Sequence, residues 1–451
     1  MYIEHIFKNW LETFNHTFTL TVVFPLMLAV GLYFTFKLRF VQIAKLKAGF
    51  RHLLKKDKHS QGNISHFEAI ATVLAGNFGT GNISGMAVAI STGGPGALVW
   101  MWVMAFVGAA IQYASCLLGV KYRTQNEKGE YVGGPMYYLR DGLGRKGLAL
   151  LFAILTIFGA VTVGNLAQIN SVTLPLGHYG LDPFYCSIVI ALLAGLVILG
   201  GIQRLASLAS FVVPFKAALY LGTGLVILAL HTDRLMPSIA LMFSSAFDFS
   251  AVAGGLLGIT ALKAISTGFD RGLFATDAGT GIVPILQSSA RSSSPVVDGI
   301  VTLVAPVMVM IVCTMTGLVL LVTGVWTDPT LRSTNMVTAA FAEGLSSPIG
   351  AYIVVFSLIL FAYTTVLAWA YCGEKALAFL LGSRSATPFR YVYIALIPLG
   401  ALLHVDLIWA LADTAIGLML VINLVGVIGL SREVISETRE FKKSDQALNR
   451  S

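Results

Sequence analysis

The chain is poor in charged residues. Of its 451 residues only 12% are Asp, Glu, Lys or Arg, whereas 56% are hydrophobic and the mean hydropathy is +0.80. Because soluble domains carry about 25% charged residues, this composition excludes an ordinary soluble protein. It indicates an all-α integral membrane protein, since a helix satisfies its own backbone polar groups where no water is present.

Cysteine and the common catalytic motifs are also scarce. The four cysteines, Cys116, Cys186, Cys313 and Cys372, lie in or at the end of separate apolar runs, and no CxxC occurs. This spacing supports neither a disulfide framework nor a metal cluster, so we expect packing roles. The sequence contains no GxSxG, HExxH or GxxxxGK[ST]. We therefore predict that the chain is not an enzyme, has no cofactor and is not driven by ATP.

Long apolar runs, by contrast, are abundant. A run of about 20 apolar residues is long enough to cross a bilayer as a helix. On this criterion we predict about eleven transmembrane helices, at residues 17–36, 66–90, 97–120, 147–173, 184–200, 206–230, 249–270, 296–323, 349–372, 391–403 and 405–430.

Lysine and arginine are distributed unevenly among the predicted loops. One side holds 25 of the 30 basic residues, the other side holds Lys8, Arg234 and Arg332, and Lys216 and Lys263 fall inside predicted spans. Because basic loops stay in the cytoplasm, the N-terminus is predicted to lie outside and the C-terminus in the cytoplasm. The same distribution explains the net charge of +8 without a nucleic-acid partner.

The second predicted span contains an unusual stretch, AGNFGTGNISG, at residues 75–85. Its four glycines each cost about 1 kcal/mol in a helix interior, and its two asparagines would face lipid poorly. Irregular backbone at membrane depth is tolerated only where protein buries it or it lines a cavity. We therefore predict an interrupted helix. The alternative is close helix packing, because Gly81 and Gly85 form a GxxxG pair.

A second glycine-rich span begins five spans later. The stretch FSAVAGGLLGITALKAISTGF, residues 249–269, carries Gly254, Gly255 and Gly258. Paired interrupted helices in two inverted halves indicate the binding site of a secondary transporter. Free N–H groups at the start of a half-helix suit a carboxylate, and free carbonyls at the end of one suit a small cation. The pattern predicts both ligands side by side at mid-membrane.

Six blocks resemble, in order, those of the alanine/glycine:cation symporters, also known as the sodium:alanine symporter family of amino acid carrier proteins. The blocks are GNFGTGNISGMAVAISTGGPGALVWMW, GEYVGGPMYYL, GNLAQINSV, GGIQRLASLASFVVPF, RGLFATDAGTG and LFAYTTVLAWAYCGE. The resemblance implies a leucine-transporter type core of five plus five inverted helices. It divides the chain into an extra N-terminal helix with a basic segment (1–65), two repeats (66–230 and 249–430) and a cytoplasmic tail (431–451).

The resemblance also implies a function and a site. It implies sodium-driven import of small neutral amino acids, chiefly alanine and glycine, by a monomer in the lipid bilayer of a bacterial or archaeal cytoplasmic membrane. The implied substrate ligands are Gly79, Thr80, Gly81, Asn82, Gln168 and Trp369, of which Trp369 would limit side-chain size. The implied sodium ligands are the carbonyls of Ala75, Phe78 and Phe361 and the hydroxyls of Thr364 and Thr365.

These implied roles have simpler alternatives. Thr364 and Thr365 could instead bond carbonyls of their own helix, as threonine does in membrane helices. Gln168 could form an interhelical hydrogen bond, and Trp369 could be a packing residue. A channel is a more distant alternative for the whole chain, because only the glycine-rich breaks would line its pore.

The chain departs from the family pattern at Lys216, where VPFKAALY replaces the usual VPFMA. An ionisable group there costs at least about 2.5–3.5 kcal/mol on insertion scales. One hypothesis is that Lys216 takes the place of sodium and couples transport of a different small amino acid to protons. The alternative is snorkelling or pairing with an acid such as Asp413. A second departure is RGLFATDAGTG, where the family usually reads RGLFSNEAGLG.

Overall fold

The computed structural model describes residues 2–53, 61–248, 261–292 and 294–448, and most of them are helical. The helices of the first half are α1 Tyr2–Phe18, α2 Phe24–Lys37, α3 Val41–Ala44, α4 Leu46–Leu53, α5 His66–Asn77, α6 Ser84–Gly93, α7 Ala97–Lys121, α8 Pro135–Tyr137, α9 Lys146–Val161, α10 Ala167–His178, α11 Pro183–Ile198, α12 Gly201–Leu230 and α13 Thr232–Ala246. Those of the second half are α14 Ala261–Thr276, α15 Ile282–Gln287, α16 Pro295–Thr302, α17 Val304–Thr323, α18 Ser333–Gly344, α19 Ile349–Leu381, α20 Ala386–Leu396, α21 Val405–Gly429 and α22 Ser431–Leu448.

Shorter segments join these helices. Wider helical turns lie at Thr19–Val23, Tyr138–Gly142 and Thr162–Leu166, and tighter 3₁₀ turns at Thr80–Asn82, Val325–Thr327, Ser383–Ser385 and Ile397–Ala401. A small antiparallel hairpin pairs β1 Thr124–Gln125 with β2 Tyr131–Val132, with Thr124 opposite Val132. All four cysteines are described, and none forms a disulfide.

Seven helical stretches are long and apolar enough to cross a membrane: Lys8–Lys37, Ala97–Lys121, Lys146–Gly177, Gly201–Leu230, Pro295–Thr323, Ile349–Leu381 and Val405–Gly429. Each coincides with a predicted span. The other four predicted spans contain shorter or interrupted helices within the described residues, namely α5 with α6, α11, α14, and α20 with the turn after it. The total of eleven spans therefore stays a prediction.

The first predicted interruption is confirmed. Helix α5 begins with a capping box, in which the Ser65 side chain accepts from the Glu68 N–H and the Glu68 carboxylate accepts from the Ser65 N–H. It ends at Asn77, and Gly79 is extended, with φ −95° and ψ −171°. A short 3₁₀ turn follows before α6 starts at Ser84. The helix is thus broken where the glycines cluster.

A second interruption lies between α14 and α15. Asp277, Gly279 and Gly281 have φ of 50°, 90° and 94°, the left-handed region that glycine adopts without strain. The predicted break at Gly254, Gly255 and Gly258 lies outside the described residues. The seventh predicted span ends at residue 270, but α14 continues to Thr276.

The reason for this shift is an ion pair inside the bundle. Arg271 in α14 bonds Asp413 in α21, and the guanidinium lies 5.1 Å from the Trp409 ring centroid. In the sequence, the two adjacent charged residues Asp270 and Arg271 indicate that the span ends there and a loop begins. Because its charge is paired, Arg271 remains within helix α14. Arg271 directly follows the span predicted at 249–270 and is one of the 25 basic residues assigned to loops, and that assignment is wrong.

The two interrupted helices meet at the centre of the fold. The Asn77 side-chain amide donates to the Thr276 carbonyl at 2.7 Å, and the Phe274 ring packs against Gly81. Helix α7, most of which is buried, packs against α14, α16 and α2. The core therefore surrounds the point where both helices unwind.

The C-terminal segment also packs against this core. Residues 431–451 are predicted to form a cytoplasmic tail, and α22 within them is a helix in which Val434 is fully buried. The hydroxyls of Thr438 and Tyr113 of α7 form a 2.8 Å hydrogen bond. One face of α22 is therefore part of the folded protein.

Candidate functional site

Asn82 holds the first interruption together. Its amide nitrogen donates to the carbonyls of Asn77 at 2.7 Å and Gly79 at 3.2 Å. Its amide oxygen accepts from the Cys313 thiol at 3.2 Å. These contacts satisfy carbonyls that lose their helical partners at the break. The side chain predicted to bind substrate therefore bonds the backbone of the break in this structure.

Thr80 and Gln168 form a second contact at the break. The Thr80 N–H donates to Gln168 Oε1 at 2.9 Å, and the Thr80 hydroxyl lies 3.1 Å from the same oxygen. Gln168 Nε2 in turn donates to the Val163 carbonyl at 3.0 Å. Gln168 thus makes the interhelical bond given as its alternative role. Its amide oxygen also accepts from the Thr80 N–H, the donor that is predicted to bind a substrate carboxylate.

The glycines of the break differ in their surroundings. A Cβ atom at Gly79 would lie 2.9 Å from both Gln168 Oε1 and Thr365 Oγ1, and one at Gly81 would lie 2.7 Å from the Phe274 ring. At buried Gly85 a Cβ would meet no heavy atom within 4 Å. Close packing across a GxxxG pair therefore does not explain Gly85, and open space adjoins α6 beside the break.

The five residues predicted to bind sodium lie in one cluster. Thr365 Oγ1 lies 2.9 Å from the Ala75 carbonyl and 3.0 Å from the Phe361 carbonyl. Thr364 Oγ1 lies 3.1 Å from both the Leu360 and the Phe361 carbonyls. Both hydroxyls therefore reach carbonyls of their own helix, as the alternative predicts, and Thr365 also reaches across to α5.

Lys216 completes this cluster. Its ammonium donates to the Phe78 carbonyl at 2.9 Å and to the Thr364 hydroxyl, and its side chain is 0% exposed. It also lies 4.6 Å from the centre of the Phe361 ring, a distance at which cation–π attraction contributes. The alternative in which Lys216 pairs with Asp413 is wrong, because Asp413 binds Arg271 and Lys216 is buried against the first break.

Trp369 packs against the span that carries Gln168. A Cβ at Gly164 would come within 2.1 Å of Trp369 Cβ, and one at Gly159 within 3.1 Å of its ring. Trp369 is 1% exposed and belongs to α19, four residues after Thr365. The ring therefore packs on two glycines of the span that also carries Gln168.

Asp277 is not among the residues predicted to bind substrate or cation. It lies in the second interruption, directly after Thr276, and is 2% exposed. Its Oδ1 atom has no hydrogen-bond partner among the described residues. A buried carboxylate without a partner is costly unless a cation or donor joins it. The signal in the sequence was an acid inside a glycine-rich stretch, TDAGTG, between two apolar runs.

Comparisons with known proteins agree with this architecture. The model of the sodium:alanine symporter family matches residues 4–451. The chain is 43% identical over 419 residues to an uncharacterized transporter of Haemophilus influenzae, covering 92% of each chain. It is 40% identical over 428 residues to the sodium/alanine symporter AgcS of Methanococcus maripaludis, covering 93% of each.

A solved structure shows the shared fold. The chain is similar to a Na⁺-coupled sialic acid symporter, with a TM-score of 0.53, 15% identity and coverage of 89% of this chain and 86% of that one. At this identity the similarity concerns the fold alone, a helical membrane transporter. The family match over residues 4–451 and the two relatives at 43% and 40% identity show that the chain belongs to the sodium:alanine symporter family.

Proposed function

We propose that the chain is a secondary active symporter that imports small neutral amino acids, alanine and glycine among them, with a cation. The observation that carries the proposal is the meeting of two interrupted helices, joined by the Asn77 to Thr276 hydrogen bond. Half-helix ends supply N–H groups for a carboxylate and carbonyls for a cation. A zwitterion and a cation together match both kinds of end.

In this proposal the substrate bridges the two interruptions. Its carboxylate binds the backbone N–H groups of Gly79, Thr80 and Gly81 after the Gln168 amide moves aside. Its ammonium group binds the Asp277 carboxylate, whose Oδ1 has no partner among the described residues. Trp369 limits the side chain to a small size. The repeats 66–230 and 249–430 then rock against each other, with the N-terminus outside and the C-terminus in the cytoplasm.

Sodium is the first candidate for the coupling ion. The names of AgcS and of the sialic acid symporter both specify sodium. The Thr365 hydroxyl and the Ala75 and Phe361 carbonyls beside it are hard oxygen ligands, the kind that such a cation prefers. Since Lys216 bonds Phe78 and Thr364, sodium binding at all five oxygens requires its ammonium to leave two of them.

Proton coupling is the second candidate, and the position of Lys216 favours it. A lysine ammonium on the Phe78 carbonyl and the Thr364 hydroxyl provides the positive charge that sodium would bring there. Loss of its proton would remove that charge and release both oxygens. Cycling between the two forms would couple amino-acid movement to a proton without any metal ion.

One uptake experiment tests both candidates. The purified protein is reconstituted into proteoliposomes, and uptake of labelled glycine, alanine, serine and glutamine is measured with sodium and pH gradients imposed separately. We expect accumulation of alanine and glycine under at least one gradient. Uptake that only equilibrates under every gradient, or none of any panel member, would contradict the proposal.

A further inference from the structure

A cavity of about 450 Å³ lies between α7 and α17, away from the two interruptions. Its wall is mostly apolar and includes Trp102, Phe106, Ala109, Met310 and Ile311. Phe106 and Ile311 are 37% and 45% exposed, so the cavity opens on the outer face of the helices, toward lipid. Its volume is within the range of about 300–1,000 Å³ that is usual for small-molecule sites.

A buried polar side chain, Gln42, forms part of the cavity wall. Gln42 in α3 is 6% exposed, and its amide nitrogen donates to the Thr35 hydroxyl at 2.8 Å. Its amide oxygen has no hydrogen-bond partner among the described residues. Because an unsatisfied buried acceptor is destabilising, this part of the cavity suits a ligand that carries a hydroxyl or other donor.

Two cations flank the helix that carries Gln42, and a third interacts with both of them. Arg39 and Lys45 flank α3 in sequence, and Lys442 comes from α22 at the far end of the chain. Burial, followed by the charges of Lys45 and Arg39, lowers the pKa of Lys442 below its usual value. Lys442 therefore lies within electrostatic range of both Lys45 and Arg39, and an anion bound near Lys442 would offset the like charges that act on it.

The same segment exposes apolar side chains. Phe36, Phe40 and Ile43 are 65%, 42% and 63% exposed, and Lys37, Arg39 and Lys45 lie between or beside them along the chain. Large apolar side chains beside basic ones are typical of a segment that lies at the membrane surface. Basic sites next to transmembrane helices on the cytoplasmic side bind acidic lipid headgroups.

We propose that this cavity and its three cations form a binding site for an anionic phospholipid. One acyl chain fills the apolar cavity between α7 and α17. The phosphodiester lies among Arg39, Lys45 and Lys442, and a headgroup hydroxyl donates to Gln42. A zwitterionic lipid would fill the cavity equally well, but its own ammonium would offset the attraction of the phosphate to the three cations.

Native mass spectrometry of the full chain tests this proposal. The protein is released from mixed-lipid nanodiscs that contain phosphatidylglycerol and phosphatidylcholine in equal amounts, and the bound lipids are counted. The test variant is Arg39→Gln/Lys45→Gln/Lys442→Gln. The matched control is Lys128→Gln/Arg145→Gln/Lys146→Gln, which removes three exposed cations from another loop. We expect at least about tenfold less retained phosphatidylglycerol in the test variant and wild-type retention in the control.

A second variant tests the apolar half of the site. Ala109→Phe adds a ring to the cavity wall without changing any charge, so it should lower retention of both lipids. Equal phosphatidylglycerol retention in the test and control triple variants would overturn the proposal. So would equal retention of the two lipids by the wild-type protein. Unchanged lipid counts in Ala109→Phe would refute the acyl-chain part of the site.

Discussion

Lys216 shows how a single side chain determines the chemistry of a buried site. Its ammonium is held by the Phe78 carbonyl and the Thr364 hydroxyl and lies beside the Phe361 ring. Removing one partner from a buried charge leaves the other groups unsatisfied. Substitutions at this position should therefore alter ion dependence and not only stability.

Lys216→Met is the direct test of the coupling ion. Methionine has a similar length but cannot bind a proton, so we expect uptake driven by a pH gradient alone to fall at least about tenfold, in line with the loss of a charge-assisted contact. Proteoliposome uptake with separate sodium and pH gradients measures this. Lys216→Arg keeps the charge but cannot release its proton, and it should fail in the same way. If uptake driven by a pH gradient survives in Lys216→Met, this lysine is not the coupling group.

Asp277→Asn tests the proposed contact with the substrate ammonium. Asparagine tolerates the positive φ of 50° at this position, so the change removes charge and keeps the backbone. A hydrogen bond to a charged group contributes about 1.5–3 kcal/mol, and we expect KM for alanine to rise at least about tenfold. The control is Asp233→Asn, whose side chain is 78% exposed. An unchanged KM in Asp277→Asn would remove Asp277 from the proposed site.

At the scale of elements, the two interruptions differ in how far the sequence predicts them. The clustered glycines of residues 75–85 predict the first interruption. The sequence SHFE also predicts the Ser65–Glu68 capping box that starts α5. The second was not located, because the charge of Arg271 suggests a loop until its partner Asp413 is known, 142 residues away. The contacts of Asn82 and Gln168 likewise depend on the folded bundle.

Gly79→Ala tests whether the first interruption needs its close contacts. The φ of −95° at Gly79 suits alanine, so any effect must come from the added methyl, 2.9 Å from Gln168 Oε1 and Thr365 Oγ1. We expect uptake to fall several-fold with normal protein levels in the membrane. Gly85→Ala, which adds the same methyl to open space, should transport normally. Equal activity of the two variants would argue against a tight site at Gly79.

At the scale of the whole molecule, Arg123 joins the segments next to the two interrupted helices. Its guanidinium donates to the Ala290 carbonyl at 2.8 Å and the Gln61 carbonyl at 3.0 Å. Gln61 precedes α5, and Ala290 follows α15. A backbone bridge between Gln61 and Ser292 lies beside these bonds. The segments next to the two broken helices are thus clamped together on one side of the molecule.

Arg123→Ala should loosen this clamp. Loss of the guanidinium leaves carbonyls of both segments without a donor, so we expect faster amide hydrogen exchange in residues 61–65 and 288–292. Mass spectrometry of exchange in detergent measures the effect, with Arg145→Ala as the control because that side chain is exposed. Exchange equal to the control in both segments would show that the backbone bridge suffices.

The predicted orientation of the chain can be checked by cysteine labelling. Native Cys116, Cys313 and Cys372 are buried, and Cys186 is partly exposed, so a Cys186→Ser background is suitable. Lys128→Cys and Asp233→Cys place thiols at exposed positions on opposite predicted sides. A membrane-impermeant maleimide should label intact cells at residue 233 and require permeabilisation for residue 128. The reverse pattern would invert the topology.

The protein's own side chains hold the first interruption in place. Asn82 already bonds the carbonyls of Asn77 and Gly79, and Thr80 and Asn77 already have partners on α10 and α14. Ligand capture then requires a local exchange of hydrogen bonds and no unwinding of a helix. Because so little ordering entropy is lost at that step, most of the favourable binding energy remains available to drive the change from one side's access to the other's.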